Sequence, residues 1–404
     1  MFSKFVVEPY HARVGEDAPR QEPLESACRA VCRVLDEEAY DPTESPARVI
    51  ATRTAPFRSA ARALAGARRA QLLVGVDARF EGEEAIDAGG VAREWCSAVA
   101  EEVCRTLLEP QNDGTLTVGG GNLEETFAFG KLCGAMIAWC ARHTVAKDSQ
   151  SPPVLSLPLS KVFAKLVTRE NVTPTDVADV DAVYYRNRLE LALRDLSELE
   201  RTLDRGPLTF VSDEGDPLHL DGDSELVTPE NARQYVAESA EHYLLGSRRR
   251  EAAAFVAGVD LVLGPKAPRL LAATDVLILL VGVADLDVLA WRDAARFDRG
   301  AVDRATARRL FGDFWDVVAD DFTNEDRTRL LLFATGAAAL PPGGFPNLAP
   351  PFTLCLDQPA PLHRLPTSHA CFNAIYLPLY PDAPTLRDKL RASLRLGLGS
   401  FGLT

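Results

Sequence analysis

The chain has 404 residues, 47% of them apolar and 25% charged, with a net charge of −14. That length supports two or three folding units with cores of their own, and the balance excludes disordered, collagen-like and small disulfide-stapled chains. The acidic excess repels phosphate backbones and anionic lipid, which argues against nucleic acid and leaves proteins or small molecules as partners.

Residues 1–48 carry Pro9, Pro19, Pro23, Pro42 and Pro46 around one amphipathic stretch, Leu24 to Leu35, and read as a loosely attached N-terminal extension. Met1 to Pro9 contains a charge and a proline where a signal peptide needs an unbroken apolar run, so no secretion signal and a cytoplasmic location are expected. Helical spacing starts near Phe57 and runs through Ala61 and Leu64. Val74, Val76, Ala78 and Phe80 then alternate as a strand does, and helical patterns return at Val91 to Leu107 and Phe127 to Ala141. Thr228 and Pro229 stand as cap and first residue before the apolar stripe Ala232, Tyr235, Val236, Ala240, Tyr243 and Leu244.

The most apolar window, Leu270 to Trp291, is interrupted by Asp275, Asp285 and Asp287, so it predicts a buried core segment and no membrane span. Asp303 precedes Leu310, Phe311, Phe314 and Trp315 as a cap, and Thr323 with Asp326 forms a capping box before Leu330 to Phe333. After Pro341-Pro342-Gly343-Gly344, Phe352 to Leu356 and Ile375 to Leu379 read as short strands, and Thr385 with Asp388 opens a helix bearing Leu386, Leu390 and Leu394. The C-terminal third is thus predicted to be a small α+β unit. Arg296-Phe297-Asp298-Arg299-Gly300 is the loosely patterned bridge to it and suits a hinge.

Eight cysteines are scattered without a Cys-x-x-Cys pair, so neither a zinc ribbon nor a thioredoxin motif is present and reduced thiols are expected. His11, His143, His219, His242 and His363 have no ligand spacing, so no metal site is expected. Three segments compete for chemistry. Leu365 to Asn373 is a turn-rich stretch entering a strand, with Cys371 at the junction and His369 two residues before it. A thiol there can act as a nucleophile if partly exposed, or be a small buried hydrophobe. Within Phe80 to Trp95, the four carboxylates of Glu81, Glu83, Glu84 and Asp87 and the pair Gly89-Gly90 lie between a strand and a helix. The segment lacks both calcium-loop and phosphate-loop spacing, so Arg93 and Glu94 read as local ion-pair partners. Val118 to Asn122 is a glycine run without a dinucleotide fingerprint and reads as a flexible loop.

Taken in order along the chain, these segments resemble the catalytic domain of HECT-type ubiquitin-protein ligases. Phe80 to Trp95 is similar to the family's early strand-to-helix signature, and Thr228-Pro229-Glu230-Asn231 with Tyr235, then Phe255 to Gly258, resemble its mid-domain helices. Leu332 to Gly336 with Pro342 to Phe345 is similar to the block before the active site, Leu365 to Asn373 with Leu377 to Tyr380 to the active-site loop and following strand, and Phe401 to Thr404 to the family's end. The family usually has threonine where this chain has Ala370.

The resemblance implies an α+β, bilobal fold: a large, mainly helical N-lobe over 49–296, a small α+β C-lobe over 297–404, and a hinge between them. A docking subdomain for the conjugating enzyme would fall roughly within 145–227. The implied activity is that of a ubiquitin ligase. Cys371 would take ubiquitin from a conjugating enzyme as a thioester and pass it to a substrate lysine, with His369 and Phe401 in supporting roles and loop amides, His369 and Asn373 near the oxyanion. No metal or organic cofactor is implied, and the partners are ubiquitin, the conjugating enzyme and a protein substrate. Two alternatives stay open: an inactive HECT-like interaction or decoy module, and a cysteine hydrolase using His369 or His363 as base.

Overall fold

Helix α1 (Leu24–Glu38) spaces Ala27, Cys28, Val31, Cys32 and Leu35 three and four residues apart, and all five are buried. In the computed structural model, which describes residues 24–83, 90–146, 151–203, 207–283, 285–356 and 363–397, this helix lies against a long central helix and belongs to the main core. The described part of the expected loose extension is therefore built in. Amphipathicity marked a face to be covered, and the central helix covers it.

Strands β1 (Ala47–Ala51) and β2 (Val76–Phe80) pair in parallel from Ala47 opposite Val76 to Ala51 opposite Phe80. Between them runs α2 (Arg58–Gly66), whose first amides are held by the buried Glu102 carboxylate through Phe57 N at 2.6 Å. Helix α3 (Gly90–Thr106) leads to a small hairpin and to α4 (Leu123–Ala146), which is apolar on every side and buried along most of its length. Helix α5 (Ala232–Leu245) belongs to a separate cluster described below, and α6 (Arg249–Leu263) crosses α4 at backbone distance. A Cβ on Gly130 would stand 2.1 Å from the Phe255 carbonyl oxygen, and one on Gly258 would stand 2.2 Å from that of Phe127. Only glycine allows that approach. Phe57, Phe129, Phe163 and Phe255 fill the space around the crossing with ring contacts between 4.8 and 6.4 Å.

Helix α7 (Ala273–Val281) ends this core, and α8 (Val288–Ala294) begins another. Trp291 on α8 stacks on Phe345 at 4.8 Å and meets Trp315 and Phe352 edge-on. Strand β3 (Arg296–Asp298) follows, then α9 (Arg304–Asp316), capped by Asp303, and α10 (Asn324–Thr335), opened by the Thr323/Asp326 box. Strands β4 (Thr353–Leu356), β5 (Thr367–His369) and β6 (Ala374–Leu377) complete a four-stranded sheet in the order β3-β4-β6-β5, and α11 (Ala383–Gly397) packs against α9 and α10. The sheet is parallel except for β5. Residues 296–300, the bridge in the sequence, thus form an edge strand and a turn of this unit. Along the chain the main core's continuous run ends at Val281 and the next core begins at Leu286, while Ala339 returns to the main core.

A third cluster gathers Val162, Val177, Leu189, Leu199, Phe210, Tyr235 and Leu244 into a unit of its own. The buried Lys165–Asp176 pair, at 2.6 Å, ties this unit to a helix of the main core. Among the described residues no helix is long and apolar enough to cross a membrane.

Candidate active site

Cys371 lies in a single 3-10 turn, Ala370–Phe372, between β5 and β6. The turn forms because Asn373 closes it in the left-handed region, at φ 50°, a conformation asparagine tolerates better than other side chains. Asn373 is fully buried. Its amide nitrogen donates to the Pro350 carbonyl at 2.6 Å, and its backbone carbonyl accepts from Thr353 N at 2.9 Å. Although the sequence placed it near the oxyanion, Asn373 is the anchor that bolts the turn to β4.

Of the eight thiols, Cys371 and Cys104 are half-buried and the rest are buried; none is in a disulfide. Burial pushes the thiols of Cys32, Cys96, Cys104, Cys133, Cys140 and Cys355 upward, away from thiolate. Phe372, next to Cys371, is 60% exposed, an apolar surface beside the sulfur. His369 is exposed at the end of β5, with its ring edge-on to Tyr376 at 5.0 Å, and His363 is also exposed. Phe401 lies outside the described residues, as does 84–89 of the acidic segment.

The turn is also held from across the molecule. Arg93 on α3, only 2% exposed, donates from Nη2 to the Ala370 carbonyl at 2.7 Å and to Asn373 Oδ1 at 3.2 Å, and from Nε to the Thr335 carbonyl at 2.9 Å. One helical turn on, Ser97 Oγ donates to the Gly336 carbonyl at 3.0 Å. The expected Arg93–Glu94 partnership is replaced by two separate ones. Glu94 faces Arg53 at 2.7 Å, which also grips Glu83 and lies 4.1 Å over the Phe80 ring, while Arg93 turns to the C-terminal unit. Sequence reasoning missed Arg93 because its acceptors are some 240 to 280 residues away. The only local signal was its spacing of four from Ser97, which sets both on one helix face.

The remaining candidates carry structural duties. Asn122, at the end of the glycine run, accepts from Glu124 N at 2.7 Å at the start of α4. His143 Nε2 lies 2.9 Å from the Asn347 carbonyl, joining the main core to the segment before β4. Among the described residues no three His, Cys, Asp or Glu side chains gather as a metal-binding group.

A part-exposed thiol on a fixed turn is suited to nucleophilic acyl exchange. The HECT-domain (ubiquitin-transferase) family model matches residues 109–404. The E3 ubiquitin-protein ligases HACE1 of Gallus gallus and Homo sapiens are each 28% identical over 361 residues, 86% of this chain and 37% and 38% of their own lengths. The E3 ubiquitin-protein ligase TOM1-like of Neurospora crassa is 27% identical over 337 residues, 80% of this chain and 8% of that protein. The chain therefore spans well under half the length of these relatives. Because the family match takes in the whole C-terminal core, the thiol turn and most of the main core, the chain belongs to the HECT-domain family of ubiquitin transferases.

Proposed function

We propose that this chain is a ubiquitin ligase that takes ubiquitin from a charged conjugating enzyme onto Cys371 and passes it to a substrate lysine. The observation that carries the reading is the Cys371 turn itself: a half-exposed thiol on backbone fixed by Asn373 and Arg93, in a family of ubiquitin transferases. The thiolate attacks the carbonyl carbon of ubiquitin's C-terminal thioester, and the donor's sulfur leaves. Exchange between two thioesters is nearly isoenergetic, so the protein's contribution is positioning and oxyanion stabilisation.

Conjugating-enzyme docking is assigned to the third cluster, whose surface exposes Val183, Leu193, Leu220 and Leu226. The two larger cores act as lobes that pivot between Val281 and Leu286, since Cys371 must face first the donor and then the acceptor. His369 stands as an exposed polar neighbour of the turn, and Phe401 docks the tail across the lobe interface once Cys371 is charged.

The test mixes the protein with charged conjugating enzyme and resolves it on a non-reducing gel. A reducible ubiquitin adduct is expected. Cys371→Ser converts it to a reductant-stable ester or abolishes it, because an alkoxide is much harder to generate than a thiolate. A reducible adduct that survives Cys371→Ala but not Cys355→Ala overturns the assignment. Absence of any adduct identifies a decoy module, and release of free ubiquitin without lysine modification a hydrolase.

A further inference from the structure

Arg93 reaches out of α3 to the backbone of the nucleophile's own turn, and the bond it makes there fixes a peptide plane. The 370–371 peptide is trans, so its C=O and N–H point in opposite directions. The Ala370 oxygen is drawn inward by two donors, Arg93 Nη2 at 2.7 Å and Asn373 N at 3.2 Å. The N–H of Cys371 must then face the other way, outward, on the same residue as the reacting sulfur. An N–H on the same residue as a nucleophilic sulfur, its peptide plane held by a buried cation, is built as an oxyanion donor is.

We infer that Arg93 is a positioning residue for acyl transfer: by pinning the Ala370 carbonyl it aims the Cys371 N–H at the oxyanion formed during ubiquitin transfer. The inference rests on the proposed thioester at Cys371. In the transfer step the lysine ε-amine attacks the thioester carbonyl carbon. A C–N bond forms and the C=O π pair moves onto oxygen, which the Cys371 N–H receives. The pair then returns, the C–S bond breaks, Cys371 leaves as thiolate, and the extra proton on nitrogen passes to water. Arg93 touches neither sulfur nor carbonyl in this scheme. Three of its acceptors belong to the C-terminal unit, so the donor is aimed only while α3 and the turn are docked.

Two reactions of the same sulfur separate aiming from mere support. Alkylation by iodoacetamide passes through no oxyanion, whereas discharge of the ubiquitin thioester to free lysine does. Both are measured on the full chain, alkylation by mass spectrometry of the Cys371 peptide and discharge by single-turnover gel assay. The variants are Arg93→Met, which keeps the apolar stem, Arg93→Lys, which restores one donor, and Ser97→Ala, which removes the neighbouring contact to Gly336. Arg93→Met is expected to slow discharge about a hundredfold, the scale of a lost oxyanion donor, with alkylation within about twofold. Arg93→Lys recovers roughly tenfold of that loss, and Ser97→Ala leaves discharge unchanged. Discharge and alkylation changing together would reduce Arg93 to structural support, and normal discharge in Arg93→Met would overturn the inference outright. Should Arg93→Met fail to fold, the discharge-to-alkylation ratio of Arg93→Lys decides: a lowered ratio supports the inference and an unchanged one overturns it. A wild-type chain that forms no adduct on Cys371 would instead sink the proposed function itself.

Discussion

At Asn373 one side chain does three jobs: it adopts a left-handed backbone, donates to Pro350 and accepts from Arg93. Asn373→Ala loses both hydrogen bonds and puts an ordinary side chain in a disfavoured backbone region, at a cost of about 2 to 4 kcal/mol. The measurable result is a lower melting temperature together with a weaker ubiquitin adduct on Cys371. Loss of adduct with unchanged melting would mean that the anchor acts on chemistry alone. The part-exposed place of Cys371 at a loop-to-strand junction was legible in the sequence, whereas its choice as nucleophile came from the family resemblance and stands as a proposal. The role of Asn373 was not legible, since its neighbours in sequence say nothing of Pro350, and Arg93 was masked by a charged neighbour, Glu94, that pairs with Arg53 instead.

Among elements, the crossing of α4 and α6 has the least room for change. Gly258→Ala drives a methyl group to within 2.2 Å of a carbonyl oxygen, so the helices must separate and the surrounding phenylalanines lose contact. About 2 to 4 kcal/mol of stability should go with it, seen as an earlier denaturation midpoint at unchanged slope. The third cluster carries a pH signature. His219 sits between Glu238, at 2.5 Å, and Glu225, at 3.2 Å, and Glu238 first and Glu225 second hold its pKa above the ordinary 6.5. A raised folded-state pKa gives stability that is full below about pH 6.5 and fades as pH rises through the folded value. The melting advantage of wild type over His219→Gln is therefore expected to be present near pH 6 and to vanish on the alkaline side; a gap independent of pH would assign His219 to packing on Phe210. Local chemistry is what the sequence reads well. The Asp303 cap and the Thr323/Asp326 box stand where the spacing puts them. Thr228-Pro229 precedes the true start, because the Asn231 side chain accepts from Thr228 N and the helix begins at Ala232. Likewise Asp382, not Thr385, caps α11.

For the whole molecule, the sequence marked two textures and took β3 for a linker, because β3 looks polar and unpatterned when its partner β4 is out of view. All three β3 residues are exposed, which is how an edge strand comes to resemble a linker. Gly300 belongs to the turn after it, at φ +52°, with its N–H donating to Asp298 Oδ1 at 2.9 Å. Proline there would demand φ near −65° and remove that donor. Gly300→Pro should therefore lower the melting temperature of the C-terminal unit; a folded unit with normal stability and slowed transfer would return the pivot to 296–300.

The short passage between the two larger cores would act as a leash for the proposed pivot. Val281 ends the main core's run and Leu286 begins the next, five residue steps apart, a reach of about 17 Å when fully stretched. If the lobes pivot there as proposed, a body the size of the C-terminal unit would swing on so short a cord instead of drifting, and the sulfur of Cys371 would sweep an arc about it. Its effective concentration would be high on that arc and low off it. A charged partner held on the arc would then meet Cys371 far more often than one held a little outside it.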